Sequence, residues 1–188
     1  MPSDAHQPRA RLRHGLAALG LALPDERVER LLAYLVLLAR WNAAYNLTAV
    51  RDLAEMVPRH LLDSLAILPW VRGPRLLDVG TGAGLPGIPL ALAEPDLRVC
   101  LLDSSGKKTR FCRQVVMELG LANVEVVQAR IEAYRPDEAP ATITARAVAD
   151  LPSLVRSVRH LLGPGTTLLA MKGARPEAEI AGLAAAGL

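Results

Sequence analysis

The sequence predicts an α/β fold, a mostly parallel sheet preceded by an N-terminal helical extension. Three observations carry that reading. From residue 73 onward, short solid apolar runs alternate with helical stretches, the pattern of βαβ units whose strands are covered on both faces. The first of those runs ends in a glycine-rich loop, where a strand should turn into a helix. Before Gly73-Pro74 the apolar residues repeat at helical spacing and no segment reads convincingly as a strand.

The elements follow in order. Residues up to about Gln7 are polar and expected to be loose, and a helical texture runs from Pro8 to Trp70. Within it Val28, Leu31, Leu32, Leu35 and Leu38 fall on one helical face, and Pro24-Asp25 suits a first turn. A second helix is expected over Leu53 to Leu68, with a break or bend near Pro58. Strands are expected at Arg75–Gly80, Arg98–Asp103, Val124–Ala129, Ala141–Val148 and Thr166–Met171. Helices are expected up to Glu94, from Lys107 to Leu119 and from Leu151 to Leu162. The chain thus divides into a helical extension, residues 1–72, and a ligand-binding α/β domain, residues 73–188.

Composition narrows the function classes. With 188 residues, 51% of them hydrophobic and 22% charged, the chain can bury a full core without metal or disulfide staples. The net charge is +3, and only Lys107, Lys108 and Lys172 of the 22 basic residues are lysines. Arginine's planar fork suits phosphates and base edges, so nucleic acid is a candidate partner on charge alone. Cys100 and Cys112 form no CxxC and have no nearby histidine, which argues against a metal site and fits two buried thiols in a reducing cytoplasm. The longest apolar run, Leu31 to Ala39, is far short of the ~20 residues that span a bilayer, and the first residues lack a signal-peptide core. A cytoplasmic protein with no membrane partner is expected.

The loop Asp78-Val-Gly80-Thr-Gly82-Ala-Gly84-Leu-Pro-Gly87 holds four glycines in eight residues. A merely tight turn is one reading. A dinucleotide site is another, since Gly82-x-Gly84-x-x-Gly87 matches that fingerprint literally, but Pro86 falls where a dinucleotide-binding helix should be opening. The third is an S-adenosylmethionine loop: the order acidic-x-Gly-x-Gly resembles motif I of class I methyltransferases, with Asp78 as the acid and Gly80 and Gly82 in place. Asp103, closing the second strand, is placed to accept hydrogen bonds from ribose hydroxyls with either cofactor, and it also suits a helix N-cap.

The whole string Leu76 to Leu90 resembles one family, the small-subunit 16S rRNA methyltransferase G, also called glucose-inhibited division protein B. Further strings match in order: Trp41-Asn42 with Tyr45-Asn-Leu-Thr48, Arg59-His60 with Asp63-Ser64, Leu101-Leu-Asp-Ser104 with Gly106-Lys107, Arg110-Phe111, Ala145-Arg146-Ala147 and Lys172-Gly173. The resemblance implies a Rossmann-like class I methyltransferase fold, S-adenosyl-L-methionine as cofactor, and methyl transfer to nitrogen-7 of a guanosine in 16S rRNA, giving 7-methylguanosine. Carried over by position, the family's cofactor contacts fall on Gly80, Leu85, Ile131, Glu132 and Arg146, to which the class I pattern adds Gly82 and Asp103. The 16S rRNA or the small ribosomal subunit is the implied partner, met by a monomer without metal.

Guanine nitrogen-7 carries an exposed lone pair and needs no deprotonation, so positioning should dominate the chemistry and no catalytic residue is singled out. His60 suits either a ligand contact or a structural role. Lys107, Lys108, Arg110 and Arg113 are the expected RNA contacts, with 107, 110 and 113 on one helical face; a solvated basic face is the plainer reading. Few aromatics, 3%, argue against an extended base-stacking platform. The family's final hairpin after the fifth strand is not recognisable, so an apolar sheet edge is expected there. A small-molecule methyltransferase, a nicotinamide or flavin oxidoreductase, and a non-catalytic cofactor- or RNA-binding paralogue are the rival readings.

Overall fold

The computed structural model describes residues 6–146, 150–173 and 176–185. Two helices open the chain, α1 (His6–Ala18) and α2 (Asp25–Tyr45). Asp25 and Glu26 sit in the first turn of α2, where the helix dipole favours negative charge. Its inward face carries Val28, Leu31, Tyr34, Leu35, Leu38 and Asn42, all buried, while Val36 on the far side is 56% exposed. Asn46 ends the helix in the left-handed conformation (φ 48°), its N–H closing on the Asn42 carbonyl, a conformation asparagine tolerates better than most residues.

The bend expected at Pro58 takes a definite form. A short α3 (Leu53–Met56) runs into a π-helical turn, Val57–Leu62, and then α4 (Asp63–Leu65). Proline has no N–H to give the carbonyl four residues back. That carbonyl, Ala54's, instead accepts from Arg11 Nη1 of α1 at 3.0 Å. The wider turn closes when the Asp63 N–H bonds the Pro58 and His60 carbonyls.

Five strands follow: β1 (Arg75–Val79), β2 (Arg98–Asp103), β3 (Val124–Gln128), β4 (Thr142–Arg146) and β5 (Thr167–Met171). They form one sheet in the order β3-β2-β1-β4-β5, with every pair parallel. The helices between them are α5 (Gly87–Ala93), α6 (Gly106–Leu119) and α7 (Leu151–Val158), with α8 (Glu177–Ala185) after β5. All five expected strands are present within a residue or two of their predicted ends, except that β4 is described only to Arg146; Ala147 and Val148 lie outside the described residues. Among the described residues no strand pairs with the outer edge of β5.

Alternation along the strands divides the core in two. Leu76, Val99 and Leu101 face α5, α6 and the N-terminal helices, in one cluster that includes Leu12, Leu16, Leu31 and Phe111. Leu77, Val79, Leu102, Ile143 and Ala145 face the other way, onto Leu154, Val158 and Leu161. The helices before Gly73 are therefore packed into the same apolar layer as one sheet face. Arg27 and Arg30 of α2 tie that layer to distant helix ends, donating to the Ala93 carbonyl and to the Leu119 carbonyl at 2.7 Å.

Because β1 pairs with β2 on one side and β4 on the other, the connections leaving β1 and β4 diverge. A crevice at the carboxyl ends results, the usual ligand position in a doubly wound sheet. The far end of α5 is closed by Asn123, whose Nδ2 donates to the Ala91 and Leu97 carbonyls at 3.1 and 3.0 Å. Asn123→Ala removes the donor and leaves helix-end carbonyls without it, so denaturant unfolding should show a loss of about 1–3 kcal/mol.

Candidate active site

The crevice is built on a buried acid. Asp78 has no exposed surface; its Oδ2 accepts from the Thr81 hydroxyl at 2.6 Å and from the Gly87 N–H at 2.9 Å, while Oδ1 has no hydrogen-bond partner among the described residues. Burial pushes its carboxyl up to about 7, against the opposing pull of those two hydrogen bonds. The glycine loop is thereby pinned at both ends to one side chain. Gly87 must be glycine for that contact: a Cβ there would stand 2.3 Å from Leu101 Cδ2 and 2.8 Å from Asp78 Oδ2.

The loop crest is fixed from other directions. The Gly80 and Thr81 N–H groups both reach the Leu102 carbonyl of β2, and the Tyr34 hydroxyl of α2 donates to the Ala83 carbonyl at 2.8 Å. Gly80 and Gly82 adopt φ of 64° and 60°, the left-handed region that favours glycine. A Cβ on Gly82 would meet nothing nearer than the Gly80 carbonyl at 3.8 Å, so here conformation, not crowding, calls for glycine.

Beside the crest lies a cleft of about 680 Å³. At its β2 end Asp103 is 6% exposed. Its Oδ2 accepts the Gly82 N–H and its Oδ1 the Ser105 N–H, both at 2.9 Å, with Lys108 Nζ 3.7 Å away. At the β4 end Arg146 Nη1 donates at 3.2 Å to the Arg59 carbonyl, on the π-helical turn, and at 3.2 Å to Asp63 Oδ2. Met171, Lys172 and Gly173 at the end of β5, and Leu47 and Thr48 after α2, complete the lining. Thr48 Oγ1 lies 3.0 Å from His60 Nε2 and accepts from the Val50 N–H. Burial lowers the His60 pKa, which favours the neutral ring in this packed position.

Of the seven expected cofactor residues, Gly80, Gly82, Leu85, Asp103 and Arg146 line the cleft together. Ile131 and Glu132 do not: they form a short 3-10 turn after β3, where Ile131 packs on the second apolar cluster and Glu132 is exposed. That turn follows Gln128, the register partner of Asp103, and so stands next to the cleft's β2 end. The four expected RNA residues separate. Lys107, Arg110 and Arg113 are exposed along α6, Lys107 reaching the Tyr45 carbonyl at 2.8 Å, while Lys108 turns into the cleft. Thr48, Asp63 and Lys172 belong to strings that match the family but carry no expected site role, and the fold brings all three to the lining of the cleft. No cluster of three or more metal-ligating side chains exists among the described residues, and no helix there is long and apolar enough to cross a membrane.

Comparison with known proteins adds the following. The family model described as rRNA small subunit methyltransferase G matches residues 27–186. A relative from Alkalilimnicola ehrlichii named ribosomal RNA small subunit methyltransferase G is 56% identical over 172 residues, 92% of this chain and 78% of the relative. A protein of the same name from Marinobacter nauticus is 56% identical over 93% of this chain and 81% of its own length. Among solved structures, a SAM-dependent methyltransferase from Geobacter sulfurreducens in complex with S-adenosyl-L-homocysteine superposes with a TM-score of 0.53 at 19% identity, covering 71% of this chain and 53% of that one. That likeness shows the fold.

The raised pKa of Asp78 sets a pH signature. A carboxyl held above its unfolded value stabilises the fold fully below the unfolded pKa, about 4, and loses that contribution as pH rises through about 7. Asp78→Asn keeps the shape without the titration. Denaturant unfolding across this window should show wild-type stability falling relative to the variant as pH rises; parallel curves would mean the buried acid does not titrate there.

Proposed function

The chain belongs to the rRNA small subunit methyltransferase G family, and from that premise we propose that it transfers a methyl group from S-adenosyl-L-methionine to nitrogen-7 of a guanosine in 16S rRNA. The observation that carries the reading is the cleft itself, where the loop residues Gly80, Gly82 and Leu85 meet Asp103 and Arg146. The matched family supplies the substrate class. In this reading residues 73–188 carry the cofactor site, and residues 1–72 form a helical extension that adds one wall, through Leu47, Thr48 and Asp63.

The site fits the cofactor's chemistry. An adenosine ribose needs an acceptor for its hydroxyls. Asp103, held by two backbone N–H groups, still has lone-pair capacity, since a carboxylate accepts about four hydrogen bonds. A methionine tail needs backbone at close range, and the crest at Gly80 and Gly82 offers bare peptide groups. Ile131 and Glu132 are assigned to the adenine side, from the adjoining turn after β3. Arg146, at the β4 end, is assigned to the reacting end. When bound, the cofactor supplies an electrophilic methyl group on a positively charged sulfur.

The protein's part is placement and charge. Nitrogen-7 already carries a lone pair on the major-groove edge, so no base has to remove a proton first. The lone pair forms the new bond to carbon as the carbon–sulfur bond breaks, with that bond's electron pair going to sulfur and positive charge passing to the purine. Holding the two reactants in line is worth several powers of ten in rate. The pinned loop and the docked Arg146 are rigid supports of the kind that role needs. Lys107, Arg110 and Arg113 on the exposed face of α6 suit contacts to rRNA phosphates, which orient without reading sequence. The chain acts in the cytoplasm in this reading, where small subunits are assembled, and works as a monomer.

Calorimetric titration with S-adenosylmethionine tests the cofactor half directly. Gly82→Val imposes a β-branched residue at positive φ and should weaken binding at least about tenfold. Arg146→Ala should lower the rate of methyl transfer to small subunits by about a hundredfold or more if it supports the reacting end. Normal transfer by Arg146→Ala would remove it from the site.

A further inference from the structure

Among the described residues two carboxylates line the cleft, and they are engaged differently. Asp103 at the β2 end is nearly buried, and each of its oxygens already takes a backbone N–H. Asp63 lies on the opposite wall, just after the π-helical turn, with a side chain about half exposed. One oxygen, Oδ2, is pinned by Arg146 at 3.2 Å; among the described residues Oδ1 takes no hydrogen bond. β2 is separated from β4 by β1 alone, so at ~4.8 Å per strand interval the two ends lie about 10 Å apart. An adenosine moiety anchored at Asp103 leaves the Asp63 end for the other reactant.

We propose that Asp63 reads the target base as guanine, accepting hydrogen bonds from its N1–H and its exocyclic N2–H on the Watson–Crick edge. This rests on the functional reading above and deepens it. Guanine presents two adjacent donors on that edge, and a carboxylate is an acceptor with two adjacent oxygens. Adenine also carries a nitrogen-7 lone pair, a less nucleophilic one, but its N1 is an acceptor and would face the carboxylate lone pairs. Recognition on the edge away from the reacting nitrogen adds to that difference in reactivity, and a contact there leaves nitrogen-7 uncovered. The Arg59 carbonyl and Asp63 hold Arg146 from two sides, which in turn fixes the carboxylate against swinging into solvent.

The same contact favours the transition state. As positive charge spreads over the purine, N1–H becomes a stronger donor, so its hydrogen bond to Asp63 tightens during transfer. Interactions that strengthen only then are the ones that raise kcat. No proton has to move: the carboxyl only accepts, and N1 keeps its hydrogen.

The test compares wild type and Asp63→Ala on small subunits reconstituted from ligated 16S rRNA carrying guanosine or inosine at the acceptor position. Inosine lacks only the N2 amino group. Wild type should methylate inosine about tenfold more slowly in kcat/KM, the worth of one hydrogen bond to a charged acceptor. Asp63→Ala should be slow on both and distinguish them by less than about twofold, while binding S-adenosylmethionine near normally by calorimetry. Asp63→Asn serves as the second variant should alanine disturb the fold; if neither turns over, the wild-type ratio decides. Equal wild-type rates on the two substrates, an unchanged ratio in Asp63→Ala, or a variant whose only loss is cofactor affinity would each overturn the proposal. Wild type methylating neither RNA would bring down the functional reading and this proposal with it.

Discussion

The Asp78 carboxylate accepts the Thr81 hydroxyl and the Gly87 N–H through one oxygen, at zero exposure, and the whole upper rim of the sheet is arranged around that contact. A buried carboxylate is costly unless hydrogen-bonded, and here the donors come from the loop that must stay in place for a ligand to dock. The loop is therefore held by a group that cannot easily let it go. Gly87 is small because Asp78 and Leu101 leave no room, and Tyr34 closes the crest from the helical side. The N-terminal helices are thus structurally part of the site, sharing both a core layer and a hydrogen bond with the strand-end machinery.

A second constraint acts at the other wall. Pro58 withholds one helical N–H, and a π-helical turn forms in its neighbourhood. The Arg59 carbonyl in that turn receives Arg146 from the end of β4. A local irregularity in a helix thereby becomes the support of a charged side chain in the cleft, with Asp63 completing the pair. The cleft has a nearly buried acid where β2 ends and a half-exposed acid–arginine pair where β4 ends. In the proposed reading a methyl transfer that passes positive charge from one reactant to the other is served by such a division, one end facing neutral hydroxyls and the other an edge that gains charge.

Much of this was legible from residue order. Solid apolar runs located β1 and β2 because central parallel strands are buried on both faces, and the cluster of glycines located the loop because few other residues adopt positive φ. Five of the seven expected cofactor positions share the cleft because Gly80, Asp103 and Arg146 sit at strand ends, which topology brings together, and Gly82 and Leu85 lie on the loop leaving β1. What stayed hidden depends on contacts between distant segments. Asp63, in helical sequence, and Thr48, in the loop after α2, had only matching strings to mark them and no local chemical signature, and they reach the cleft through the packing of α2 and the π-turn on the sheet. Lys108 was grouped with its neighbours on charge, but a step of one residue turns a helical side chain by about 100°, enough to aim it at Asp103 rather than along the exposed face of α6. Proline marked a bend near residue 58 without revealing its outcome, since the carbonyl it freed is taken by Arg11, 43 positions earlier.

The central claim is that this cleft places a methyl group on nitrogen-7 of a guanosine in 16S rRNA. The most direct test is transfer from labelled S-adenosylmethionine to under-methylated 16S rRNA, naked and in small subunits, followed by digestion and nucleoside analysis. The account predicts label in 7-methylguanosine, from at least one of the two substrates. Label confined to any other nucleoside, or no transfer to either RNA by protein that binds the cofactor, would contradict it.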